Sequence, residues 1–285
     1  MTKYEVNMTY EPFAKEPEYI EANRAFIRTM DLASSWLILD LACGIGTMAD
    51  LILEFRPQVK IIGLDLSHES LRLAQTSGTN GLNLLLQGTA YFLPLKGGSV
   101  DTVIMGNSIH LLAEPDKLLQ EVRRVLRPEG LFAFNGSFYA GTFAPNTEPF
   151  YHEWVKLAIL YLMNKDRLLR QNGQPGIPRK RGTVSGAFSH RWPSPQEWVE
   201  TLRTHGFKVQ SVYERTVLMR QRSFETIGAY GGFAKIILSG YPVHEASEAL
   251  QATAGEALAA LKMEQVPRFW LEIVARRQGE LPRQN

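Results

Sequence analysis

Five short apolar runs, WLILDL, KIIGLDL, LNLLL, VDTVIM and LFAFN, succeed one another by about residue 135, and this rhythm constrains the fold more than any other feature. Strands buried on both faces read as continuous apolar stretches, and parallel neighbours need crossovers long enough to hold a helix. Most of the intervening segments have that length or helical spacing, so the pattern predicts an α/β fold with helices on both faces of a parallel sheet. GTAYFLPLKGGS, after the third run, is marked by Gly and Pro and reads as an irregular crossover. Farther on, Ser194-Pro195 opens a helix, PQEWVETLRTHGF, that Gly206 closes. KVQSVYERTVL and FWLEIVARR then supply two late strands, for a mostly parallel sheet of seven.

The segment ILDLACGIGTMADLILEF places a strand ending near Asp40, a turn containing Gly44 and Gly46, and a helix starting near Thr47. Glycines there let a backbone approach a ligand closely, and the helix N-terminus offers free N–H groups and partial positive charge. Taken alone, Gly44-x-Gly46-x-x-Ala49 also satisfies the dinucleotide fingerprint, and a plain tight strand-to-helix turn reads the same way. Asp65 closes the next strand, IIGLDLS, where a carboxylate can accept from both hydroxyls of a ribose; it can equally serve as a helix N-terminal acid near Ser67.

With these residues in place, the chain resembles the class I S-adenosylmethionine-dependent methyltransferases, in a branch of small-molecule enzymes, from about residue 36 to 137. LDLACGIGT is similar to the family's glycine motif and GLDLS to its ribose motif. The block GTAYFLPLKGGSVDTVIMGNSIHLLAEPDKLLQEVRRVLRPEGLFAF resembles the family through its fourth and fifth strands, and a nicotinamide enzyme has no reason to carry it. The resemblance implies a Rossmann-like fold with S-adenosylmethionine as cofactor. It assigns Asp40, Ala42, Gly44, Gly46, Asp65, Leu66, Thr89, Ala90 and Asn107 to the donor. Tyr10 and Tyr19, which precede the fold, are candidates to close over its methionine end, with packing on an N-terminal helix as the alternative. Two positions depart from the family. Ala42 stands where its first glycine belongs, which requires a negative φ, and Thr89 stands where an acid often meets adenine, leaving the Thr89 and Ala90 backbone, Leu66, and Tyr91 or Phe92 to share that task.

An amphipathic helix over about 18–30, with Tyr19, Ala22, Phe26, Ile27 and Met30 on one face, precedes this core. The expected plan is a single methyltransferase domain over 1–285: an N-terminal helical segment 1–35, a donor-binding core 36–138, and insertions 139–190 and 223–265. Both insertions carry more large apolar side chains than exposed loops keep in water, as in WVKLAILYLM and FAKIILSGY, so they are expected to form a helical cap over the acceptor.

Methyl transfer from a sulfonium relies on positioning, and a base is needed only where the acceptor must lose a proton. His110, just after VIMGNS, is the candidate base, with a packing role as the alternative. His152, Trp154, His190, Trp192 and Tyr230 are candidate acceptor contacts, each with a packing or surface alternative. No His, Asp and Glu grouping shows metal-ligand spacing, so no metal is expected. The net charge of +2 gives no field for nucleic acid, and no apolar run of about 18 residues spans a membrane. Lone Cys43 excludes an intramolecular disulfide and suits a cytoplasmic setting. The expected reaction is O-, C- or N-methylation of a small molecule, with a homodimer compatible. A macromolecular acceptor and a non-catalytic S-adenosylmethionine-binding protein are the alternatives.

Overall fold

All five apolar runs become strands in the computed structural model, which describes residues 4–76, 82–180 and 191–279. In chain order the elements are α1 (Glu11–Ala14), α2 (Pro17–Arg28), β1 (Leu37–Leu41), α3 (Thr47–Phe55), β2 (Lys60–Asp65), α4 (His68–Thr76), β3 (Leu84–Gln87) and β4 (Val100–Met105). A short 3-10 turn, Ile109–Leu111, leads to α5 (Pro115–Val125), β5 (Leu126–Gly136) and α6 (Glu148–Gln171). Then come α7 (Pro195–Thr204), β6 (Phe207–Arg220), α8 (Gln221–Ala229), α9 (Gly231–Ile237), α10 (Val243–Ala260) and β7 (Gln265–Arg277). No helix among the described residues is long and apolar enough to cross a membrane.

The chain divides into two compact units, one within Ile20–Thr142, His190–Arg215 and Phe269–Asn285, the other within Met1–Tyr19, Phe143–Ser189 and Thr216–Arg268. The first holds the sheet, in the order β3-β2-β1-β4-β5-β7-β6. β1 to β5 are parallel, and β7 enters antiparallel to β5. Asp40 lies opposite Gly63 of β2 and Ile104 of β4, so the order of strand ends beside the glycine turn is fixed by register. One face of the sheet packs Leu39, Val103, Phe132 and Ile273 with α5 and α7; the other packs Ile38, Ile104 and Ala133 with α2 and α3.

The irregular crossover after β3 is pinned by α5. Arg124 donates to the carbonyls of Leu93 and Leu95, both at 2.8 Å, while Glu121 accepts from the Leu93 N–H at 2.6 Å. These bonds give the LPL and EVRR segments a physical reason to occur together: one is a loop with no ladder of its own, and the other supplies its partners. β5 starts five residues before the LFAFN run, because its register with β4 jumps from Val100 opposite Leu126 to Thr102 opposite Leu131. The helix opened by Ser194 has a complete capping box with Glu197, and Gly206 beyond it sits at φ +74°.

The second unit is helical. Phe150, Trp154, Ala158 and Leu162 recur every four residues on the buried face of α6, and α10 presents buried Ala246, Ala249, Ala254 and Ala257. Such small side chains let helix axes approach closely.

Candidate active site

β1 runs into a turn that is shaped by backbone bonds. The Cys43 N–H donates to Leu64 O at 3.1 Å and the Gly46 N–H to Cys43 O at 2.9 Å. Gly44 and Gly46 have φ of +56° and +89°, conformations that disfavour any side chain, and a Cβ on Gly44 would meet no atom within 4 Å. The space beside that glycine is open to a ligand. Ala42 corrects the expectation of negative φ: it sits at +57°, in the left-handed region, because the chain must turn there before reaching Gly44. A methyl group in that region costs about 1–2 kcal/mol, which explains why glycine is the common choice.

Two carboxyls flank the turn in opposite states. Asp65 accepts from the Gly44 N–H and the Ser67 N–H, each at 2.8 Å, so both readings of this residue meet in one side chain: it receives helix-entry N–H groups and faces the glycine turn. Each of its oxygens keeps a second lone pair for a hydroxyl. Asp40 is 0% exposed, and neither oxygen accepts a hydrogen bond of ordinary geometry among the described residues. Burial, reinforced by the negative charge of Asp65, pushes its pKa up to about 8; the nearby Ala49 N–H offsets only part of this. A cation delivered to this end of β1 would relieve both causes. The same burial pushes the Cys43 thiol up, which keeps it protonated and unreactive.

Beyond β3, Thr89 Oγ1 accepts from the Tyr91 N–H at 3.3 Å, Ala90 is buried in the sheet core, and the Tyr91 hydroxyl accepts from the Glu114 N–H at 3.2 Å. Leu66 and Phe92, 73% and 75% exposed, are apolar surfaces at the ends of β2 and β3, available to a planar base. Beyond β4, Asn107 is buried at φ +45° and linked to β5 by hydrogen bonds.

His110 lies tilted against Phe138 with ring centroids 4.4 Å apart, and Trp192 meets Phe138 edge-on at 5.3 Å. All three rings are half-buried. The structure therefore joins two expected residues, His110 and Trp192, through a third that sequence reasoning missed. Phe138 follows directly on β5 in NGSFY, where neither periodicity nor residue chemistry marks it.

In the helical unit, Tyr10 and Tyr230 are brought together at 5.6 Å, with Phe13 and Tyr19 also against Tyr10. His152 is exposed on α6. Trp154 corrects the expectation of an acceptor contact: it is 2% exposed, donates from Nε1 to Leu250 O at 2.9 Å, and packs among Phe150, Phe224 and Phe233, because its position on the buried stripe of α6 leaves it no outward surface. His190 lies outside the described residues. The expectation that no metal-like grouping exists is also corrected, since one face of α10 brings ligand atoms of His244, Glu245 and Glu248 within 4.8 Å of one another. Lys165 already donates to both glutamates, and Tyr161 to Glu248.

Comparison with known proteins identifies methyltransferases. Residues 39–134 match a family model described as a methyltransferase domain. The chain is similar to the ubiquinone/menaquinone biosynthesis C-methyltransferase UbiE of Syntrophotalea carbinolica, 35% identical over 65% of this chain and 73% of that protein. It is also similar to the malonyl-[acyl-carrier protein] O-methyltransferase of Geobacter sulfurreducens, 36% identical over 37% of this chain and only 40% of that protein. Among solved structures, a Haemonchus contortus phosphoethanolamine N-methyltransferase 2, in complex with phosphomonomethylethanolamine and S-adenosylhomocysteine, superimposes with a TM-score of 0.50 at 16% identity, covering 91% of this chain and 53% of that one.

Proposed function

The chain belongs to the class I S-adenosylmethionine-dependent methyltransferases, and on that footing we propose that it methylates a small aromatic acceptor bearing an ionisable hydroxyl. The observation that carries this reading is the His110, Phe138 and Trp192 series, which sets a proton acceptor beside two half-buried aromatic faces. Aromatic rings prefer such offset and edge-on partners, worth about 0.5–1.5 kcal/mol each beyond area burial. The relative named for ubiquinone and menaquinone biosynthesis supports the same acceptor class. Relatives and neighbours named for C-, O- and N-methylation leave the atom to the acceptor's own chemistry.

S-adenosylmethionine, when bound, supplies a methyl group already activated on a sulfonium. The chain's residues bind and orient. Asp65 accepts from the ribose hydroxyls, Gly44 and Gly46 admit the donor against the backbone, and Asp40 meets its positive charge. Leu66, Thr89 and Ala90 bound the adenine side, and Asn107 the opposite side. His110 would take the hydroxyl proton, which raises the nucleophilicity of the acceptor's oxygen and of the ring carbon beside it. Tyr10, His152 and Tyr230 belong to the helical unit.

The test is transfer of labelled methyl from S-adenosylmethionine to a panel of catechols, hydroquinones and aliphatic amines of similar size. Turnover is expected with the phenolic members, and His110→Ala should lower it about a hundredfold while S-adenosylhomocysteine affinity holds. Turnover with the amines alone would overturn the aromatic reading.

A further inference from the structure

Four polar side chains form a continuous buried chain at the ends of β4 and β5. Asn135 of β5 and Asn23 of α2 are fully buried, and Asn107 and Ser137 nearly so. Asn135 Nδ2 donates to Asn23 Oδ1 at 2.8 Å, and Asn135 Oδ1 accepts from the Asn107 N–H at 2.8 Å. Asn107 Oδ1 in turn accepts from the Ser137 N–H at 2.8 Å and the Ser137 hydroxyl at 2.9 Å. The chain thus runs from a helix, through the end of a strand, to a residue at φ +45° on the turn after β4.

Burying four polar side chains where apolar ones would pack gains little net stability, because each bond replaces one made with water. Satisfied as a network, they fix one geometry. That geometry is local. Asn107 is gripped on both its backbone N–H and its side-chain oxygen, so its left-handed conformation and the path of the chain toward His110 are over-determined from outside the turn.

The sheet order says what the turn faces. With the ribose at Asp65 on β2 and adenine toward Thr89 after β3, as proposed above, the donor's other arm would extend toward β1 and β4, which follow β2 in the sheet order. β2 and β4 are two strand spacings apart, about 10 Å, a span that the aminobutyrate arm leaving the ribose through sulfur can approach.

We propose that Asn23, Asn135 and Ser137 are positioning residues that hold the Asn107 turn in the shape that receives the amino-acid arm of the donor. They act through Asn107 and touch neither donor nor acceptor. The inference rests on the donor site proposed above. It further implies that the side-chain oxygen of Asn107 serves the turn rather than the ligand.

Two probes separate an effect on the arm from a general effect on the fold: S-adenosylhomocysteine, which carries the arm, and 5′-methylthioadenosine, which lacks the amino acid. Calorimetric titration of the 285-residue chain should find that Asn135→Leu weakens S-adenosylhomocysteine at least tenfold while 5′-methylthioadenosine changes by less than twofold. Ser137→Ala, which keeps the backbone bond and is the milder change, should shift S-adenosylhomocysteine alone by about threefold; it decides the matter if Asn135→Leu does not fold. Parallel weakening of both probes, or none of either, would overturn the proposal. Failure of the unaltered chain to bind either probe would instead overturn the donor-site reading on which it rests.

Discussion

One buried carboxyl sets the strand ends of the sheet unit apart from the helical unit. In the helical unit, buried polar groups are answered from within: Glu248 by Tyr161 and Lys165, Trp154 Nε1 by Leu250 O. At the strand ends of the sheet unit, Asp40 is buried beside another carboxyl with no bond of ordinary geometry. An interior built for stability satisfies its polar atoms at once, whereas an uncompensated one marks where a ligand completes the structure.

The sharpest way to break this contrast is Asp40→Asn. With the folded pKa raised from 3.8 to about 8, the folded chain keeps a proton that the unfolded chain has lost, so stability falls as pH rises between about 4 and 8 and is level above. Across that window the variant should gain about 6 kcal/mol on the unaltered protein, at about 1.4 kcal/mol per pH unit. Identical pH profiles in urea unfolding would remove Asp40 from the comparison. In the helical unit the sign reverses: Trp154→Ala should cost about 4 kcal/mol by leaving a large cavity, with S-adenosylhomocysteine affinity unchanged in the folded fraction. A loss of donor affinity there would return Trp154 to the site.

Asp65→Ala should weaken S-adenosylhomocysteine about a hundredfold, near 3 kcal/mol, since two bonds to a charged acceptor disappear. An unaltered dissociation constant would detach the ribose from β2. The smallest effect is expected from Trp192→Ala, which loses one edge-on contact with Phe138 and should lower stability by about 1 kcal/mol without moving donor affinity. A larger change would make Trp192 part of the sheet unit's core instead of an acceptor face.

The glycine turn, Asp65 and the strands were legible because each is a local property: an apolar run of fixed length, a residue without Cβ, an acid at a strand end. Ala42 was misjudged because the sign of its φ is set by where the turn must go next, not by alanine. Trp154 was misassigned because a tryptophan on an apolar helix reads alike whether its face meets a ligand or Phe224. The His244, Glu245 and Glu248 grouping was passed over although its spacing places it on one helical face.

What the sequence determined by itself was the order of the strands along the chain, the glycine turn after β1, and the family, all encoded in residues near one another along the chain. What only the tertiary structure decided was how distant residues meet: Asn23 with Asn135, Phe138 with His110 and with Trp192, and the charge of Asp65 acting on Asp40. A pattern along the chain carries periodicity and chain geometry. Burial, pairing and the displacement of a pKa depend on which groups exclude water from one another, and that is fixed only when the strands have taken their places in the sheet.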